Sequence, residues 1–375
     1  MDFTRSEAEV EVSRLAAQVV GSGQDDAAGA STDDFDAELW KELGKAGLLS
    51  LALPAELGGD ELGVQATAAV LTEVGRHAAR IPALATLALG VLPVARSADI
   101  VLKQQLLAGV ASGESVLTAA IREPSDPMPA SPRTRMTLQG AGRPGTVSGL
   151  KVGVPYAAAA SWILVPATVE ASARAGAAAA YRGTTVIAVI EPDADGLSCQ
   201  RTRSSSGLPE YTLRLDETPA AYVLDRCDAA DLYRLAVAGA CAVGDGALAA
   251  ALQLTTEHVR SREQFGRPLA TFQAVAQQIA DVYAAARTLH LATLSACWRL
   301  ETGRDAGRDS DVAAYWLARY GPAAVRTCHH LHGGLGMDIS YPLPRYSALI
   351  TDLVAFMGGA EYRLDRLSER EAAGA

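Results

Sequence analysis

The sequence predicts an α+β chain built in the order helical, strand-rich, helical. Three observations carry this reading. Apolar residues recur at helical spacing over residues 1–118, short apolar runs alternate with turn residues over 119–227, and helical spacing returns over 228–375. In the first segment Phe35, Leu39, Leu43 and the pair Leu48 and Leu49 mark a helical face. Residues 53–59, with Pro54, Gly58 and Gly59, predict a tight loop, and helix resumes over 64–75. Residues 81–94 are apolar but short and hold two prolines, which predicts a buried helix or loop. In the middle segment the runs at 162–165 and 185–190 read as strands, with a turn at Asp193, Ala194, Asp195 and Gly196. The Ala-rich stretch 170–182 reads as a loop or a short helix. In the last segment Phe272, Val275, Ile279, Val282, Ala286 and Leu289 step by three and four and place one stripe against a core. Gly266 and Pro268 punctuate two long helices there, and Gly333, Gly334 and Gly336 another pair.

Composition bounds the function. A chain of 375 residues suits two or three packed units. Abundant Ala with only 5% aromatics favours helices packed closely through small side chains. A net charge of −10 argues against bulk nucleic-acid binding. The charged N-terminus lacks an apolar signal core, and no segment is read as offering the roughly 20 apolar residues of a membrane span, so a cytoplasmic protein is expected. None of the five cysteines sits at CxxC spacing, and buried, reduced thiols are expected. His329, His330 and His332 do not form a metal site. Adjacent His329 and His330 cannot face one way on a helix, and no carboxylate or cysteine stands at ligand spacing.

Two motifs carry chemistry. The first is Arg262-Glu263-Gln264-Phe265-Gly266-Arg267-Pro268-Leu269, followed by Phe272-Gln273; the second is His332-Gly333-Gly334-Leu335-Gly336, followed by Tyr341-Pro342-Leu343-Pro344-Arg345-Tyr346. Arg262 offers a planar fork of donors suited to a pyrophosphate. Phe265 can flank a flat aromatic ring. Gly333 and Gly334 remove side chains where backbone meets a ligand.

By order and separation these segments resemble the RxxFGxPLxxFQ and GGxG…YPxxR motifs of acyl-CoA dehydrogenases, and residues 53–59 resemble that family's LPxxxGG loop. The resemblance implies a helical N-terminal domain, a small β-barrel-like middle domain and a C-terminal four-helix bundle. It implies FAD as cofactor, with Arg262, Gln264, Phe265, Leu269, Phe272, Gln273, Gly333 and Gly334 on its adenosine diphosphate half across a dimer interface. His330 falls where many members carry a glutamine that touches FAD. The implied reaction is α,β-desaturation of an acyl-CoA thioester, with electron-transfer flavoprotein as acceptor.

The sequence departs from the family at the chemistry. The usual base, a glutamate, falls by ungapped count on Met357, and the alternative position on the preceding long helix falls on Ala236. Glu361, four residues beyond Met357, is a displaced candidate. The flavin loop reads Arg122-Glu123-Pro124-Ser125-Asp126-Pro127-Met128-Pro129, without the family's Ala-Gly-Ser. After Gly149-Leu150-Lys151 the usual aromatic-x-Ile-Thr is replaced by Val152-Gly153-Val154-Pro155. No catalytic residue is therefore assigned to this chain. The pattern is similar to the non-catalytic subunit of the actinobacterial α2β2 dehydrogenases acting on steroid side-chain thioesters, whose related partner subunit holds the acyl-CoA substrate. The alternatives are a self-sufficient homomeric enzyme with a relocated base and a flavin-free scaffold or acyl-binding relative.

Overall fold

The computed structural model describes residues 6–22, 35–97, 99–139, 143–170, 183–224 and 227–374. They form two compact units, one of Asp26–Thr67 and Arg80–Ala236, the other of Met1–Asp25, Ala68–Ala79 and Val237–Ala375.

The first unit carries the sheet. Its helices α2 (Ala37–Lys45) and α5 (Ile100–Leu106) start at Asp36 and Asp99, whose carboxylates accept from the amides of Leu39 and Leu102, each at 2.9 Å. The loop expected at 53–59 is a 3₁₀ turn, Ala55–Leu57, closed by Gly58 at φ 75°. The apolar stretch 81–94 is a buried helix: a π-helical segment, Leu84–Val91, runs straight into α4 (Leu92–Ser97). Residues 171–182, most of the Ala-rich stretch, lie outside the described residues.

The strands are β1 (Leu117–Ala119), β2 (Arg135–Gln139), β3 (Arg143–Pro155), β4 (Trp162–Val169), β5 (Thr185–Ile190), β6 (Leu197–Thr202), β7 (Glu210–Pro219) and β8 (Tyr222–Leu224). The runs read from the sequence became β4 and β5, which are buried along nearly their whole length because they sit inside the sheet. The strand order is β6-β7-β3-β2-β4-β5-β8. β1 and β2 pair in parallel with β4 at successive positions along it, through Leu117–Ala119 and then Arg135–Met136. The middle part is thus an open mixed sheet and not the barrel that the resemblance implied. Among the described residues β6 and β8 are edges that pair with one neighbour each. Closure would need β6 to find a second partner. Its exposed Ser198, Cys199, Gln200 and Arg201 instead give it the polar, charged edge of a strand facing water. The core lies on residues such as Met136, Val147, Ile163, Val165, Ala188 and Leu213.

The second unit is helical. α1 (Glu7–Ser22) opens with a capping box: the Glu9 amide donates to Ser6 Oγ, and the Ser6 amide to the Glu9 carboxylate. α3 (Val64–Arg76) and α6 (Ala229–Ser261) contribute residues to both units, and α7 (Gln273–Glu301), α8 (Gly307–His332), α9 (Leu343–Phe356) and α10 (Gly359–Gly374) follow. Where four helices were implied after residue 228, five stand among the described residues. The last helical run breaks at Gly358 and Gly359, with φ 90° and 84°. α3 and α6 meet backbone to backbone. A Cβ on Gly75 would overlap the Val243 carbonyl, and one on Gly246 the Thr72 carbonyl.

The stripe on α7 is buried in its C-terminal half, at Val282, Ala286 and Leu289, while Phe272, Val275 and Ile279 stay half-buried. Two further expectations need correction. α6 is by length and composition apolar enough to cross a membrane, although 89% of its apolar window is buried inside the protein, as in a core helix. Scattered charges interrupt the run and mask it in the sequence. Four cysteines are buried thiols as read, but Cys199 is exposed, because it lies on the edge strand β6.

Replacing Gly246 by Val should cost about 1–3 kcal/mol through overpacking against α3. Thermal denaturation should show a lower midpoint for Gly246→Val, and an unchanged midpoint would contradict the backbone contact.

Candidate functional site

The first motif is a hairpin at the end of α6. The Arg262 amide still donates to the His258 carbonyl at 2.8 Å, and the Leu269 amide returns to the Arg262 carbonyl at 2.8 Å, which closes the excursion between them. Within it β9 (Glu263–Gln264) pairs with β10 (Arg267–Pro268). The two turn residues, Phe265 and Gly266, both have positive φ, 54° and 76°, as a two-residue hairpin turn demands. For phenylalanine this backbone is strained, and its ring is 92% exposed. Phe272 supports the tip: its ring lies edge-on to Phe265 at 6.2 Å, and the Arg267 guanidinium sits 4.1 Å over its face. Arg262, Gln264 and Gln273 are exposed, and Leu269 and Phe272 half-buried. Among the described residues no acceptor engages the Arg262 guanidinium.

The second motif caps α8. Gly333 takes φ 60° and ψ −136°, a conformation closed to side-chain-bearing residues, and a Cβ on Gly333 or Gly334 would meet nothing within 4 Å. Open backbone thus faces outward, followed by exposed Met337 and Ile339. His330 is exposed as well. His329 and His332 turn to different partners: His329 Nε2 lies 3.1 Å from Ser347 Oγ, whereas buried His332 bonds to the Cys328 carbonyl and to Tyr341 OH. The sequence reading missed the residue that joins the two motifs. His258, one turn before Arg262, stacks on His332, one residue before Gly333, with ring centroids 4.4 Å apart and planes 19° apart. The available signal was its i−4 spacing from Arg262, which puts both on one helix face.

At the two positions to which the sequence count assigns the family's base, the structure is sealed. Met357 has no exposed surface. Its Sδ lies 3.9 Å from Cys241 Sγ, and burial pushes that thiol far up, so Cys241 stays protonated. The Met357 carbonyl accepts from Arg363 Nε at 2.8 Å, and Arg363 is itself held by Asp311 at 2.9 Å, which also takes Arg370 at 2.7 Å. Ala236 likewise has no exposed surface. Glu361 stands exposed in the first turn of α10.

The loop at 122–129 is closed on itself. Buried Glu123 accepts from Lys151 Nζ at 2.8 Å, from Thr134 Oγ1 at 2.6 Å and from the amides of Arg133 and Thr134. Burial opposes both charges. The ammonium and the hydrogen bonds nonetheless hold the Glu123 carboxyl down at about 2, while Lys151 is drawn down to about 8. The Pro129 carbonyl is taken by Tyr233 OH and the Pro155 carbonyl by Thr118 Oγ1. Glu123, the Asp126 backbone and the Pro129 carbonyl are engaged within the unit, whereas the Arg262 guanidinium and the Gly333 and Gly334 backbone are exposed. The donor set therefore fits an anionic, phosphate-bearing group at the helical unit's loops.

Comparison with known proteins gives the family. The acyl-CoA dehydrogenase N-terminal domain matches residues 6–114 and the C-terminal domain residues 229–370. Acyl-CoA dehydrogenase FadE28 of Mycobacterium tuberculosis is 43% identical over 333 residues, covering 88% of this chain and 91% of that one. Among solved structures, a variant of the Tcur3481-Tcur3483 steroid ACAD superimposes with a TM-score of 0.88 at 33% identity, over 98% of both chains. The ChsE4-ChsE5 complex from Mycobacterium tuberculosis does so with a TM-score of 0.88 at 29% identity, over 99% of both chains. The chain belongs to the acyl-CoA dehydrogenase family, and it resembles the subunits of heteromeric actinobacterial members.

The ion pair generates a prediction. Because the Glu123 carboxyl is depressed from 4.5, it contributes stability above that pH which is lost as pH falls toward 2. Glu123→Gln strands a buried ammonium and should cost about 3–5 kcal/mol at neutral pH, while Glu123→Gln with Lys151→Met should recover part of it. Melting curves at pH 7 and pH 3 check this: the gap between parent and Glu123→Gln should narrow on acidification.

Proposed function

We propose that this chain is a non-catalytic subunit of an FAD-dependent acyl-CoA dehydrogenase that desaturates an acyl-CoA thioester between the α and β carbons. It contributes binding of the ADP moiety of FAD and the assembly surface, while a related partner subunit supplies the catalytic glutamate and the substrate site. The observation that carries the reading is Met357. At the position expected for the base stands a thioether with no exposed surface, and a thioether cannot accept the α proton. The spent loop around Glu123 points the same way, and the unspent Arg262 and bare Gly333 and Gly334 account for what the chain keeps.

In this reading Arg262, Gln264, Phe265, Leu269, Phe272, Gln273, His330, Gly333 and Gly334 face the adenosine diphosphate of FAD held mainly by the partner. The half-buried start of α7 and exposed Met337 and Ile339 lie against that partner in an α2β2 assembly. The substrate is a bulky acyl-CoA, with steroid side-chain thioesters favoured by the likeness to the Tcur3481-Tcur3483 steroid ACAD. The acceptor is electron-transfer flavoprotein, the setting is cytoplasmic, and the chain divides into domains at 1–118, 119–227 and 228–375.

Expressed alone, the chain should be colourless, and with its partner it should purify yellow as a heterotetramer. In that complex Arg262→Ala should weaken FAD retention by about 10- to 100-fold, since a charged donor to phosphate carries about 1.5–3 kcal/mol. Glu361→Gln should leave turnover with an artificial acceptor within a few fold. A fall of about a hundredfold or more in Glu361→Gln, with FAD still bound, would place the base in this chain and overturn the reading.

A further inference from the structure

The His258–His332 stack has no role in the reaction as proposed, yet it is the described contact that ties the Arg262 hairpin to the Gly333 turn. Its hydrogen bonds define its protonation. The Cys328 carbonyl can only accept, so His332 Nδ1 carries the proton that reaches it at 2.8 Å. In the neutral ring Nε2 is then an acceptor, and Tyr341 OH, 3.1 Å away, is its donor. Neutral His332 is satisfied at both nitrogens. A second proton on Nε2 would meet the donor hydrogen of Tyr341 and force that hydroxyl to reverse.

The surroundings disfavour the second proton. Glu257 faces the cluster from α6, Arg262 from just beyond its end, His329 from α8 and Tyr341 from the turn before α9. Burial lowers His258, and the neighbouring His332 and Arg262 push it further down. Burial also lowers His332, with His329 adding to it and the bond to the Cys328 carbonyl partly opposing. Tyr341 keeps its proton, raised by burial and by Glu257. Two imidazoles in face-to-face contact with an arginine one turn away cannot both be cations without separating.

We infer that His258 and His332 are a pair of positioning residues whose neutral ring stack holds the Arg262 hairpin and the Gly333 turn in register, so that both loops face the adenosine diphosphate group together near neutral pH and part on acidification. The ordering follows from linkage. An unstacked imidazole takes up its proton near pH 6.5 and the stacked ones only at lower pH, so protons favour the unstacked arrangement as pH falls through that value. The inference rests on the proposed FAD contact for its consequence but not for its mechanism.

The test uses the complex with the partner subunit at pH 7.5 and pH 5.5, in parent, His258→Tyr and His258→Ala forms. Hydrogen-exchange protection factors for residues 262–272 and 333–341 report the stack directly, and the flavin absorbance that survives gel filtration reports FAD. In the parent, protection of both segments should fall together by about threefold or more between the two pH values. His258→Tyr keeps an aromatic face but removes one of the two rings that can become cations, and should clearly reduce that pH dependence, with FAD retained more evenly at the two pH values. His258→Ala should lose protection at both. Equal pH profiles in parent and His258→Tyr would overturn the inference. Were no FAD retained at any pH, the proposed function would fall, while the protection factors would still judge the stack.

Discussion

The helical unit depends on the absence of two side chains. Gly75 on α3 and Gly246 on α6 let the helices touch carbonyl to Cα, and no other residue type fits either place. That contact fixes α6 laterally, and the rest of the unit is read from α6. Gly244 lies against Leu317 of α8, Asp245 bonds His290 of α7 at 2.8 Å, and Cys241 lies beneath Met357. About four turns on, the same helix delivers His258 to its stack and Arg262 to its hairpin. The end that carries Arg262 is therefore positioned by packing that lies far along the helix from it.

Polar groups are spent very differently in the two motif regions. Around Glu123 a buried charge pair, a threonine hydroxyl and backbone amides satisfy one another, and two proline carbonyls find donors within the same unit. Such a network is stable because nothing in it is left unpaired, and it has little to offer a ligand. Around Arg262 and Gly333 the backbone is strained, the guanidinium has no acceptor among the described residues, and glycines leave the main chain bare. Strain and unsatisfied donors survive in folded proteins where something else completes them.

The sequence made much of this legible, for identifiable reasons. Periodicity exposed the helical ends and the two buried strands, since a stripe or an apolar run is a local pattern. Turn residues such as Pro54 and Gly58 did the same for a boundary. The open sheet was not legible, because β1 and β2 share one side of β4 through pairings that span more than thirty residues, and no local pattern encodes strand order. Arg262, Phe265 and the glycines were found by motif. His258 was not, because its meaning lies in a ring it meets across space rather than along the chain. The closed loop at Glu123 was seen only as missing donors. Its pairing with Lys151 required knowing that residues 123 and 151 are neighbours.

Met357 carries a consequence for the history of such a chain. Its side chain is fully enclosed, with Cys241 beside it and its carbonyl gripped by Arg363, whose guanidinium is already bound to Asp311. A carboxylate placed there by mutation would be stripped of water with its nearest cation largely engaged, and would cost several kcal/mol before it could serve any reaction. Enclosure of this kind works as a ratchet: each methyl group packed around position 357 makes an acidic side chain there costlier. An acidic side chain on open surface, as Glu361 is, carries no such cost.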